Sequence, residues 1–136
     1  MEDSQISGIV NLILEYKIDG IILTNTSNKN RESLIDVNSK EDGGLSGKPI
    51  KELSTEFVKK FYKELNGKIP IIGVGGVDSG ESAFEKIAAG ATAVQLYTGL
   101  IYKGPNIVKE IKKDLIQILK NKGFTNINEA VGSSLN

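Results

Sequence analysis

The 136-residue chain has no cysteine and no histidine. Without them there is no disulfide framework and no thiolate or imidazole zinc site. The same absences exclude Ser-His-Asp or Cys-His catalysis within this chain. Charge of one sign is also lacking, since 17 Lys and Arg are balanced by 17 Asp and Glu. A nucleic-acid binder would carry a clustered basic excess, so nucleic acid is not an expected partner. The lysines recur beside glutamates at helical spacing, as on a solvated helix face. The longest apolar runs are about half of what a membrane span requires. The opening "MEDSQISG" lacks the basic start and apolar stretch of a signal peptide.

What the chain does have is glycine at particular places. "IPIIGVGGVDSG" (residues 69–80) sets glycines directly after an apolar run, where they weaken packing and cost backbone entropy. Around it, apolar spacing predicts an alternating series of elements. Ile6, Ile9, Val10, Ile13 and Leu14 mark an amphipathic helix, and "GIILT" (20–24) a short buried strand. A polar segment from Asn25 to about Lys51 is too long for a plain connection, and such loops are usually functional or disordered. Ser54 is the expected N-cap of the next helix, with Leu53 and Val58 as a hydrophobic staple and Gly67 as its stop.

"IPIIGV" is the second expected strand, with Pro70 near its start. Asp78 and Glu81 have capping-box spacing for a helix carrying Phe84, Ile87 and Ala88 inward and ending at Gly90. "TAVQLYT" is the third strand. After "GLIYKG", Pro105 introduces a helix with Ile107, Val108, Ile111, Leu115, Ile118 and Leu119 as its buried stripe; Gly123 ends it, and "NINEAVG" adds a last helical turn.

This α-βα-βα-βα order, with apolar strands, predicts a parallel sheet covered by helices. Three parallel strands leave two open apolar edges, which natural proteins avoid, and a closed eight-unit barrel needs about 250 residues. The expected fold is therefore α/β: about three βα units, six to eight, from the C-terminal part of a TIM (β/α)8 barrel. Residues 1–136 would form one partial domain with no second domain. A flavodoxin-like domain would need more strands.

In such folds ligands gather at the carboxyl ends of strands. Three unusual ends lie there: Thr24-Asn25-Thr26, Gly75-Gly76 and Tyr97-Thr98. The glycines let main chain approach a ligand and offer N–H groups suited to phosphate. Each part has a plainer explanation: "GVGG" as a tight turn, Tyr97 as a rim aromatic, Asn25 as a cap of its own loop. "GGLSGKP" lacks the GxxxxGK spacing of a P-loop. Glu41 and Asp42 suit a solvated surface better than acid–base work. Taken together, the three ends point to a phosphate-bearing ligand in a barrel.

Four stretches in register carry a closer resemblance: "TNTS" (24–27), "GGLSGKPI" (43–50), "IPIIGVGGVDSG" and "AAGATAVQLYTGLIYKGP" (88–105), with the terminal "KGFTNINEAVG". Together they resemble dihydroorotate dehydrogenase, in its membrane-associated, quinone-using class. The soluble class typically has glycine before the threonine of the last strand motif, where this chain reads Gln95-Leu96-Tyr97-Thr98.

The resemblance implies an FMN-dependent barrel that oxidises dihydroorotate to orotate, with quinone as acceptor, in pyrimidine synthesis. It implies Thr24 beside the flavin, and Asn25 and Thr26 on the substrate. Gly47, with Ser46 nearby, would approach the flavin from the long loop; Gly75, Gly76, Tyr97 and Thr98 would hold the FMN phosphate. The base of that class is a serine on a loop from the first five units, so no catalytic residue is expected in this chain, and no metal. Quinone contact and membrane association would come through sequence outside it, placing the whole enzyme at the mitochondrial inner membrane or the bacterial inner membrane. By itself the segment is expected to be poorly folded, inactive and weak in FMN affinity. The alternatives are a non-catalytic phosphate-binding half-barrel or interaction module, and a dihydropyrimidine-type FMN reductase, against which "QLYTGLIYKGP" speaks.

Overall fold

The computed structural model describes residues 1, 3–29, 31–32 and 34–135. Its regular elements follow the predicted alternation: α1 (Asp3–Glu15), β1 (Ile21–Leu23), α2 (Lys51–Leu65), β2 (Ile71–Val74), α3 (Gly80–Ala88), β3 (Ala93–Gln95), α4 (Thr98–Lys103) and α5 (Ile107–Asn121). The strands form one sheet in the order β1-β2-β3. Both pairings are parallel, with Leu23 opposite Gly73 and Gly73 opposite Val94. The last predicted helical turn is present as a 3-10 turn at Ile127–Ala130.

Helices cover one face of the sheet through two apolar clusters. In the first, Ile6, Val10 and Ile13 of α1 meet Val58, Phe61 and Leu65 of α2 over Leu23 and Ile71. In the second, Ile107, Ile111 and Leu115 of α5 pack on Ala83 and Ile87 of α3, with Val77 and Ala130. Period-2 alternation decides which strand residues join. Leu23 and Ile71 are buried, whereas Ile22 is 59% exposed. The strands are thus less uniformly buried than expected, and Ala93 and Gln95 of β3 are exposed.

Several local expectations shift. Ser54 does not cap α2. The helix starts at Lys51, led in by a 3-10 turn at Lys48–Ile50 with Pro49 inside it. Ser54 is buried within the helix, and its hydroxyl donates to the Val74 carbonyl at 2.5 Å. A serine whose side chain can reach a strand end is free to sit mid-helix. The α3 cap lies one residue beyond the predicted one: Ser79 caps, and Ser82 completes the reciprocal box. The Asp78 carboxylate accepts from the Ser82 hydroxyl at 3.2 Å instead.

The stop signals hold. Asn66 ends α2 with φ of +50°, and Gly90 follows α3 with φ of +118°. On α5, Ile107, Ile111 and Leu115 are buried, but Val108 is 46% exposed. The third strand is shorter than "TAVQLYT", because the chain turns at Tyr97 into α4. The long segment is not featureless either. It contains a 3-10 turn at Val37–Lys40, and an antiparallel bridge joins Ser27 to Leu45.

Candidate functional site

The carboxyl ends of the three strands open onto one cleft of about 820 Å³, a size usual for small-ligand sites. Every residue singled out in the sequence lines it: Thr24, Asn25 and Thr26 after β1, Ser46 and Gly47 from the long loop, Gly75 and Gly76 after β2, Tyr97 and Thr98 after β3.

The turn after β2 is dictated locally. Gly75 and Gly76 have φ of +117° and +73°, a region costly for residues with a Cβ. A Cβ on Gly75 would lie 2.8 Å from Ser54 Oγ, and one on Gly76 2.6 Å from Lys51 Cα. Glycine is therefore needed here for the turn itself and for its contact with α2, whatever the cleft holds. No hydrogen-bond acceptor for the Gly76 N–H occurs among the described residues. The N–H of Thr98, in the first turn of α4, is likewise left open, as helix starts dictate.

The long loop reaches the cleft by polar ties. Ser27 and Leu45 exchange two main-chain hydrogen bonds, of 3.0 and 2.8 Å. Arg31, the chain's single arginine, donates through its guanidinium to the carbonyls of Ser39 (3.0 Å), Glu41 (2.7 Å) and Gly43. The folded-back loop sets the Ser46 hydroxyl 3.0 Å from that of Thr98. Gly47 is buried with φ of +75°, and a Cβ there would lie 2.8 Å from Thr98 Cγ2. Gly44 packs on Thr26 with no space for a side chain.

Asn25 is exposed at the rim, and its Oδ1 accepts from the Thr26 N–H at 2.8 Å. The plainer explanation of this asparagine, a cap of its own loop, is thus realised. Its amide NH₂ keeps two donors for other partners.

Charges of both signs line the cleft: Arg31, Lys48 and Lys103 against Glu41, Asp42 and Asp78. The Lys103 ammonium donates to the main-chain carbonyl of Asp78 at 2.8 Å. Away from the cleft, between α2 and α3, lies Lys86, fully buried. Its Nζ donates to Thr55 Oγ1 at 2.7 Å and to the Lys51 carbonyl at 3.3 Å. Burial lowers its pKa to about 8, while Glu85 pulls it up and Lys51 pushes it further down. Lys51 itself pairs with Glu85 at 2.8 Å, and that hydrogen bond raises its pKa above the usual lysine value.

Sequence reasoning singled out neither Arg31 nor Gly44, Lys86 nor Lys103. One signal was available: glycine within a strand marks a close approach, and a Cβ on Gly73 would sit 2.9 Å from Lys86 Cδ. The targets of Arg31 and Lys103 are main-chain carbonyls, which leave no mark in a sequence.

A parallel sheet with one helix-covered face and a cleft at its carboxyl strand ends is the arrangement of an α/β fold of the barrel type. The profile of the family described as dihydroorotate dehydrogenase matches residues 1–119. The chain belongs to that family, and its three βα units are a portion of the TIM barrel.

It is 49% identical to the quinone-type dihydroorotate dehydrogenase of Trichodesmium erythraeum over 97% of this chain and 37% of that protein. It is 47% identical to the mitochondrial quinone-type enzyme of Mus musculus over 91% and 31%. The ligand-free crystal structure of the Eimeria tenella enzyme superposes with a TM-score of 0.94 at 41% identity, covering 98% of this chain and 37% of that one. The chain thus spans about a third of the length of these relatives.

Proposed function

We propose that this chain supplies the FMN-phosphate end, and part of the substrate site, of a quinone-dependent dihydroorotate dehydrogenase that oxidises dihydroorotate to orotate in pyrimidine synthesis. The supporting observation is the convergence of Thr24–Thr26, Ser46–Gly47, Gly75–Gly76 and Tyr97–Thr98 on one cleft. The donors present fit the group. The hydroxyls of Thr98 and Ser46 and the open N–H groups of Gly76 and Thr98 suit phosphate oxygens. Gly47, packed on Thr98 without a side chain, would let the long loop approach a ring. Thr24, at the end of β1, would border that ring.

When bound, the flavin supplies the hydride acceptor, and protein groups supply position and charge. Asn25 and Thr26 would orient the substrate, the Asn25 amide donating to a substrate oxygen while its carbonyl holds the Thr26 N–H. We assign no catalytic base among these residues. Quinone as acceptor and attachment to a membrane are proposed from the named relatives, one of them mitochondrial. Among the described residues no helix is long and apolar enough to cross a membrane.

Fluorescence titration of the purified chain with FMN, then with orotate, tests the proposal. Saturable, weak quenching that orotate perturbs is expected. If inorganic phosphate competes as well as FMN does, a phosphate-binding module replaces the flavin reading. A folded chain that leaves FMN fluorescence unchanged refutes the flavin reading, and one that also fails to bind inorganic phosphate refutes the phosphate-binding module.

A further inference from the structure

We propose that Lys103 is a positioning residue for the phosphate end of the cleft: its ammonium fixes α4, and with it Thr98, against the turn after β2. The proposal rests on the cleft being an FMN site.

The six residues of α4 make a helix too short to persist without tertiary support. Packing gives little of that support. None of its residues is buried, and Ile101 and Tyr102 are 69% and 85% exposed. Besides the Ser46 and Gly47 contacts of Thr98 and the packing of Gly99 on Ile107, two close contacts tie it to the turn after β2. At its start, Gly99 lets the helix approach the Val77 carbonyl so closely that a Cβ would sit 2.8 Å from the oxygen. At its end, Lys103 Nζ donates to the Asp78 carbonyl at 2.8 Å.

Val77 and Asp78 directly follow Gly75-Gly76, so both ties run to the same turn. The Asp78 carboxylate is occupied by the Ser82 hydroxyl, and the ammonium bonds main chain. The tie is therefore a charge-assisted hydrogen bond to main chain, made at an exposed position. Thr98, whose hydroxyl and N–H border the cleft, directly precedes the Gly99 contact. Loosening the far end of α4 frees the helix to rotate about Gly99 and misplaces those donors.

Riboflavin carries the ring and ribityl chain of FMN without its phosphate, so the pair separates phosphate binding from ring binding. The unmodified chain, Lys103→Met and Lys103→Arg are titrated with both flavins. Amide hydrogen exchange at residues 99–104 is followed without ligand. The unmodified chain is expected to prefer FMN. In Lys103→Met, FMN affinity should fall about tenfold, riboflavin affinity should stay unchanged, and exchange in α4 should accelerate. Lys103→Arg should restore both.

A Lys103→Met chain that keeps its FMN preference and slow exchange overturns the inference and leaves the flavin reading standing. Weaker FMN binding with unaltered exchange also overturns it, in favour of direct contact between the ammonium and phosphate. An unmodified chain that binds both flavins equally overturns the phosphate reading and this inference with it.

Discussion

On one side of the cleft, the Gly75-Gly76 turn is wedged against the first turn of α2, and Ser54 reaches up from that helix to the Val74 carbonyl. On the other side, the loop of residues 27–46 is held by one antiparallel bridge and the Arg31 guanidinium, with Ser46 touching Thr98 at its end. The first wall is continuous with the apolar core, so disturbing it disturbs the fold. The second is attached by polar ties over a largely exposed segment. Its shape can change while the core stays intact, because local stability follows the buried contacts a region makes.

The sharpest attack on the first wall is Gly76→Ala. The Cβ meets Lys51 main chain, which cannot swing aside, at a φ of +73°. Strain and overpacking together should cost about 2–5 kcal/mol, read as a large fall in the urea midpoint. An unchanged midpoint would show that the wall is softer than the contacts indicate.

Lys86 comes next, because it joins the two helices behind that wall. Its pKa in the folded chain is about 8, below the ordinary lysine value near 10.5 of the unfolded chain. Between those values the folded protein has released the proton and the unfolded chain still holds it. Stability should therefore rise as pH climbs from about 8 toward 10.5. The gain is on the order of 1–3 kcal/mol. Lys51, Glu85, Glu52 and Asp78 also lie near this region, so Lys86→Met provides the reference. The difference in urea midpoint between the two proteins should depend on pH over that window. A constant difference would contradict a buried, depressed Lys86.

Arg31→Ala probes the second wall. Global stability should fall by no more than about 1 kcal/mol, while thermolysin cleavage near Leu34, Ile35 and Val37 accelerates. Lys at this position should fail to restore protection, since one ammonium cannot span carbonyls that a planar fork reaches together. Equal cleavage rates in all three proteins would dissociate Arg31 from the loop's shape.

The smallest effect belongs to an ion pair outside both walls. Lys60 and Asp3 meet at 2.6 Å with side chains 46% and 82% exposed, and Lys60→Ala should shift stability by less than about 0.5 kcal/mol. A larger loss would mean that α1 depends on this exposed tie in addition to its buried Ile6, Val10 and Ile13.

The contrast between the walls also explains what the sequence could reveal. Apolar periodicity placed α1, α2, α3 and α5, and Gly67, Gly90 and Gly123 fell where helices stop, because hydrophobic spacing and backbone freedom act locally. Thr24–Thr26, Gly75-Gly76 and Tyr97-Thr98 were legible as strand ends, and a parallel sheet puts all such ends on one side. Caps were misplaced at Ser54 and Asp78, where several hydroxyl and carboxyl groups compete within one turn. The Ser82 hydroxyl won over Glu81, and Ser54 found a strand carbonyl. The loop's architecture stayed hidden because Arg31 binds main-chain oxygens contributed by Ser39, Glu41 and Gly43, whose side chains say nothing of it. Buried Lys86 was masked by a helical charge pattern that looks solvated.

If three strand ends and the long loop grip one flavin nucleotide, residues on all four segments respond to it together. Amide chemical-shift mapping of the isotopically labelled chain during a single FMN titration tests that joint grip most directly. Thr26, Gly47, Gly76 and Thr98 should shift together with one shared affinity. Shifts confined to one of these segments, or gathered instead on the outer helices around Asp114 and Lys122, would contradict it.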